Sequence, residues 1–509
     1  MRPPRSAIAL LVTCLLPSVP AMGKQTALSE LPLPALVDRI TWGATPSELD
    51  RATKLGPEAY IKEQLHPPGK GSLPTEIQHR IDAMSISKES AQDAFIAARE
   101  YQLSVKRMPD GAEKNQARKT TQRIPRTRAR ETAERATLRA LYSRAQLQEQ
   151  MTWFWMNHFN VYSEKGNIGA VISDYEDRAI RSNALGKFRD LLEATIRSPA
   201  MMVYLDNYYN RATRINENYA RELMELHTLG VQGGYKQSDV QELARILTGM
   251  GISYTKKLPQ IDPELRSQIV QEGAFIFNPK YHDYGDKVFL GQTIKGEGLK
   301  EVDKAVDMLA RHPSTARHIS MKLAQYFVAD EPSDALVDMM AKTFLSSDGD
   351  IAATLYTMFS SQDFAKSLKD GKFKDPVQYT YSSLRLAFSS LPPINRVDTV
   401  NGWLSRMGEA LYRRVTPDGY PVRASDWSGS GQMTMRFELA RQIATKPGAF
   451  YRNGDKSASK VIVPHLLDQY KAKGLFADFS AATRKVIESS KSKQEVNMYL
   501  LASPEFMHR

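Results

Sequence analysis

The chain has 509 residues, 42% of them hydrophobic and 25% charged, with a formal net charge of +12, a balance that supports a sizeable core and excludes a disordered tail. A mean hydropathy of −0.43, with no apolar run approaching about 18 residues, excludes a polytopic membrane protein. A single cysteine, Cys14, excludes a disulfide scaffold and any four-cysteine zinc or iron–sulfur site.

Residues 1–21 read as an export signal: Arg2 and Arg5 precede the apolar run Ala7 to Leu16, and Val19-Pro20-Ala21 offers small residues for cleavage before Met22. The run is too short to span a bilayer and no Arg-Arg pair precedes it, so the expected route is Sec-type, to a periplasmic or secreted address. Leu11-Val12-Thr13-Cys14 resembles a lipobox only loosely, because Thr13 is a poor residue there. If Cys14 leaves with the signal, the mature chain has no thiol, which suits an oxidising compartment.

Between Lys106 and Arg144 twelve basic residues face four acidic ones. Pro109-Asp110-Gly111 makes a turn and Ile124-Pro125 interrupts the segment, which predicts an exposed insertion followed by a charged helix from Thr127. Two readings stand: a solvated arm, or a patch for an anionic polysaccharide, lipid headgroups or another envelope polymer. Nucleic acid is not an expected partner, since export removes it and no recognition motif is present.

Helical period dominates the remainder. Leu147, Met151, Phe154, Trp155, His158, Phe159 and Tyr162 recur at three- and four-residue steps and predict a buried helix over 147–162. A second helix is expected over 216–229, with Tyr219, Ala220, Leu223, Leu226 and His227 on one face. A third is expected from Ser238, with Ser238 and Gln241 as a capping box. Phe275-Ile276-Phe277 and Val288-Phe289-Leu290 flank a turn-rich stretch and predict a hairpin. The fold class is mainly α: one large multi-helix domain over 30–509, with a small β-hairpin excursion near 275–291. Ser198-Pro199-Ala200-Met201, Ser361-Gln362-Asp363-Phe364 and Ser503-Pro504-Glu505-Phe506 look like one turn device reused, too unevenly spaced for a solenoid. Lys369 to Pro376 reads as a short basic linker, with a candidate sub-domain boundary near 375.

Three groups of motifs carry a family resemblance. They are Asp38-Arg39-Ile40-Thr41-Trp42-Gly43-Ala44-Thr45-Pro46 with Glu63-Gln64-Leu65; Phe154-Trp155-Met156-Asn157-His158-Phe159; and the long string Asn216 to Gly230 with Asp239-Val240 and Ala244 to Gly249 downstream. Over roughly residues 35–508 the chain resembles the bacterial family catalogued as domain of unknown function 1800, from whose pattern Met250 departs in place of a tryptophan. The resemblance implies a large exported helical domain. It also implies a possible partner, because genes of members often sit beside those of a second uncharacterised family similar to the sulfatase and alkaline phosphatase group. It implies no activity.

Chemistry must therefore come from residues. The chain lacks a phosphate loop, a Gly-x-Ser-x-Gly elbow, a His-Glu-x-x-His helix and a haem-binding Cys-x-x-Cys-His, and no motif names a cofactor or a metal site. His158 is either a satisfied core histidine, a general acid or base, or a ligand, although no second histidine stands at ligand spacing. His227 reads as a core residue and His282-Asp283 as a loop cap. The paired-carboxylate reading makes Asp206, Glu222 and His158 the catalytic candidates, and Arg221, Asn218, Tyr208 and Trp427 the substrate-binding ones. Carboxylates, amides and flat rings are the groups that bind hydroxyls and stack on sugars. That reading is a glycan-active hydrolase. The alternative is a noncatalytic helical binding or assembly protein.

Overall fold

A computed structural model describes residues 28–67, 73–451 and 463–509, so the expected signal segment, residues 1–21, lies outside the described residues. Twenty-six α-helices and five short strands make up the described chain, which is mainly α with small antiparallel sheets. No described helix is long and apolar enough to cross a membrane.

The centre is the helix Pro376–Phe388, every residue of which is buried. Proline at its first position needs no hydrogen-bond partner, and Asp375 caps the next turn by accepting from the Gln378 N–H at 2.7 Å. Two of its polar side chains tie it to its surroundings. Tyr379 donates to the main-chain oxygen of Arg436 or Leu501, both at 3.0 Å, and Arg385 donates to those of Gly43, Ala140 and Leu141. Gly43 lies so close that an added Cβ would stand 2.7 Å from the Cα of Ser382. Around this axis pack the helices Arg123–Tyr142, Val397–Arg406 and Ser430–Thr445; Gln146–His158 packs on Leu33–Ile40, Pro57–Leu65 and Arg123–Tyr142.

The two ends of the described body meet. Main-chain bonds join Lys372 to Arg509 and Lys374 to Met507, all at 2.8 Å, so the stretch read as a basic linker is an internal ladder with Lys372 and Lys374 buried. Arg39, fully buried, donates to the main-chain oxygens of Arg509 (3.0 Å), Phe327 (2.7 Å) and Ser367 (2.8 Å). Burial and then the Arg509 guanidinium pull its pKa down to about 9.

Several expected boundaries move. The predicted helix over 147–162 spans Gln146–His158, because Phe159 leaves helical geometry, and the one over 216–229 spans only Asn218–Glu225. The helix expected from Ser238 starts at Gln237; the Asp239 side chain accepts the Lys236 N–H at 2.7 Å in place of the Ser238/Gln241 box. The two β segments do not pair with each other. β1 (Met250–Ile252), β2 (Val270–Glu272) and β3 (Phe275–Phe277) form a sheet ordered β1-β3-β2, while β4 (Lys287–Phe289) pairs with β5 (Gln292–Ile294) across a tight turn at Leu290 and Gly291. Both turn residues have positive φ, as a two-residue hairpin of this twist requires. The repeated serine device is real: Ser198, Ser361 and Ser503 each accept a following main-chain N–H.

The basic segment divides as its composition suggests. Ala112–Thr120 buries no residue, whereas on Arg123–Tyr142 the side chains of Arg128 and Arg135 are buried and donate to the main-chain oxygens of Ala170 and Ser173.

Replacing Arg39 by methionine leaves three main-chain acceptors without their donor. Chemical denaturation should show a loss of about 3 kcal/mol, and a loss below about 1 kcal/mol would mean that water replaces the guanidinium.

Candidate active site

A cavity of about 430 Å³ opens where the Gln146–His158 helix ends. That helix contributes Trp153, Phe154, Asn157 and His158; the helix Pro313–Phe327 contributes Lys322 and Tyr326; Asp375 comes from the cap of the central helix, and Glu409 from the turn after Val397–Arg406. The loop 414–422 supplies Arg414, Asp418 and Tyr420, and Asp426 follows it.

The loop is fastened by amides. Asn157 donates to the main-chain oxygen of Tyr420 (2.8 Å) and accepts its N–H (2.6 Å), and Asn160 donates to the oxygens of Arg414 (3.0 Å) and Thr416 (2.8 Å). Gly419, at φ +76°, passes so near that a Cβ there would stand 2.2 Å from the Asn157 oxygen, so only glycine fits. Trp153 and Tyr420 stack at 6.3 Å and make an aromatic wall.

Glu409 is the most perturbed acid of the cavity. It is 2% exposed, accepts the Val377 N–H at 3.0 Å, and shares a hydrogen bond with Asp375. Burial first, and the neighbouring Asp375 second, hold its pKa well above the usual carboxylate range. The site thus favours the neutral form of this carboxyl, hydrogen-bonded to Asp375. Asp418 is engaged by Arg414 at 3.4 Å and by the Thr416 hydroxyl.

His158 is buried, and its Nε2–H donates to the main-chain oxygen of His227 at 3.0 Å, which fixes the tautomer and leaves Nδ1 unprotonated and without a partner. Burial and then the charge of Lys322 hold it neutral. The rings of His227 and His318 each lie 6.1 Å from that of His158, and burial lowers their pKa values to about 3 and about 4. No group of three His, Cys, Asp or Glu side chains among the described residues is placed to hold a metal ion. His282 belongs to a separate buried knot, with Nε2 2.9 Å from Glu301 and Nδ1 2.8 Å from the Thr248 oxygen.

Of the residues singled out in the sequence, His158 lines this cavity; Asp206, Glu222, Arg221, Asn218, Tyr208 and Trp427 are not among its lining residues. Asp206 pairs with Lys165 at 2.9 Å. Arg221 bridges Glu217 (3.1 Å) and Glu225 (3.6 Å), and Asn218 donates to the Leu205 oxygen. Glu222 is half-buried, and desolvation, then Glu225, raises its pKa. Tyr208 lines a different groove of about 500 Å³ with Tyr254, Tyr281 and Arg211. Trp427 is buried behind the wall, 6.5 Å from Tyr420, and donates to the Pro421 oxygen. Asp375, Glu409, Asp418 and Lys322 were missed in the sequence. Asp375-Pro376 carries a helix-start signal and Asp418 sits in the turn-forming string Thr416-Pro417-Asp418-Gly419, but nothing in the strings around Glu409 and Lys322 marks them.

The fold and site thus define a mainly α-helical protein with a buried acid held at the N-terminus of its central helix. The chain belongs to the family described as Protein of unknown function (DUF1800), whose model matches residues 35–508. No curated protein and no solved structure matches it.

The raised pKa of Glu409 has a definite sign in stability. Above about pH 4.5, the ordinary value for its carboxyl, the unfolded chain releases this proton, whereas in the folded chain its release is displaced to higher pH. Glu409 thus makes stability fall as pH rises toward the folded pKa. In Glu409→Gln that contribution disappears, and its stability relative to wild type should rise with pH from about 4.5 up to the folded pKa, by up to about 1.4 kcal/mol per unit. Melting curves across that range check this; parallel pH profiles would show that Glu409 is ionised in the fold.

Proposed function

We propose that this chain is an exported, glycan-active hydrolase whose acid–base chemistry lies in the cavity around Glu409. One observation carries the reading: a carboxyl whose neutral form is favoured by burial and by Asp375 lines a space large enough for a small ligand, beside a second carboxyl group, Asp418, and an aromatic wall. A protonated acid and an ionised partner are what glycoside cleavage needs. Glu409 gives its proton to the leaving glycosidic oxygen, and Asp418 stabilises the positive charge that develops on the sugar ring or activates the attacking water. Trp153 and Tyr420 supply flat faces for a ring, and Asn157 holds the loop that carries Asp418.

This reading keeps the paired-carboxylate chemistry expected from the sequence and moves it from Asp206 and Glu222, which stand apart from the cavity lining, to Glu409 and Asp418. Export rests on the sequence of residues 1–21.

The test is release of reducing ends from a panel of glycans. Glutamine at 409 keeps both hydrogen-bonding functions but has no proton to give, so Glu409→Gln should fold, bind glycan and lose about 10²- to 10⁴-fold in kcat. Asp206→Asn should leave turnover unchanged. Full activity in Glu409→Gln, or loss of activity only in Asp206→Asn, overturns the assignment.

A further inference from the structure

Lys322 is the cavity's unanswered charge. Its ammonium lines the same space as Glu409, yet among the described residues it makes no hydrogen bond and no ion pair. The groups that act on it are three imidazoles, His158, His227 and His318, all with lowered pKa values, and Asp418, whose oxygens are already engaged by Arg414 and Thr416. Asp375, which accepts the Gln378 N–H and is hydrogen-bonded to Glu409, and Asp426 line the same cavity, and neither forms an ion pair with Lys322. A half-buried ammonium that makes no ion pair is held at a loss in free energy, which an anion brought by a ligand would recover.

We infer that the glycan bound in this cavity carries a carboxylate, as a uronic acid does, and that Lys322 is the residue that receives it. The inference rests on the hydrolase reading and names its substrate class: Trp153 and Tyr420 hold the ring, and Lys322 selects its acidic substituent.

Calorimetric titration with oligouronates and with the same oligosaccharides after carboxyl reduction tests this, using Glu409→Gln so that the ligand survives. Binding of the acidic ligand should be tighter by about tenfold or more. Lys322→Gln should remove that preference without weakening the neutral ligand, and Lys322→Arg should retain most of it. Equal affinity for the two ligands, or a preference that persists in Lys322→Gln, overturns the inference and leaves the hydrolase reading standing wherever Glu409→Gln abolishes turnover. Binding of neither ligand, with wild-type turnover of none in the glycan panel, overturns both. The comparison of the two ligands requires no change at Lys322, so it decides even if that variant does not fold.

Discussion

A helix buried along its whole length must still satisfy the N–H groups of its first turn, and that need organises the centre of this molecule. The helix Pro376–Phe388 meets it with one proline, which has no N–H, and two carboxyls: Asp375 on Gln378 and Glu409 on Val377. Two carboxyls converging on one turn, one half-buried and the other buried, cannot both be ionised cheaply, and the pKa of the deeper one, Glu409, is raised. The cavity's acid is thus a by-product of capping. The helix end favours negative charge, while burial and the second carboxyl oppose it more strongly at Glu409.

The family strings acquire physical meaning in the same place. In Phe154-Trp155-Met156-Asn157-His158-Phe159, Trp155 is core and donates to the Ala184 oxygen, Asn157 pins the Tyr420 loop, and His158 turns toward the cavity. The long string from Asn216 supplies the main-chain oxygen of His227 that orients the His158 ring. Its charged face, with Glu217, Arg221 and Glu225, forms a ladder along one helix. The two strings therefore meet through a bond from the His158 side chain to the His227 main-chain oxygen, and a shift of the backbone in one string alters the imidazole of the other.

Helical period was readable because it depends on neighbours three and four residues apart, and so was the turn device reused at Ser198, Ser361 and Ser503, though not the Ser238 capping box. Helix ends were less so, since Asp239 and Phe159 act through local geometry that composition does not encode. The strands at 275–277 and 287–289 were legible as strands but not in their pairing, because each finds a partner elsewhere. The site was the least legible part. Its members come from positions 158, 322, 375, 409 and 418, and Glu409 gains its character from tertiary burial and from a contact with a residue 34 positions away that caps another helix. Local pattern pointed instead to the dense polar stretch around Asp206 and Glu222, where charges are neighbours in sequence.

The clasp at Arg39 has a consequence in time. Its guanidinium is synthesised early, while one of its acceptors belongs to residue 509, 470 positions later. Closing so long a loop adds little to the equilibrium cost, because closure entropy grows only logarithmically with length. It does mean that residue 509 must be made before the contact can form. Until then the ladder at 372–374 has one edge open and Arg39 is short of a partner, so the two segments stay unjoined while the polypeptide between them is being synthesised.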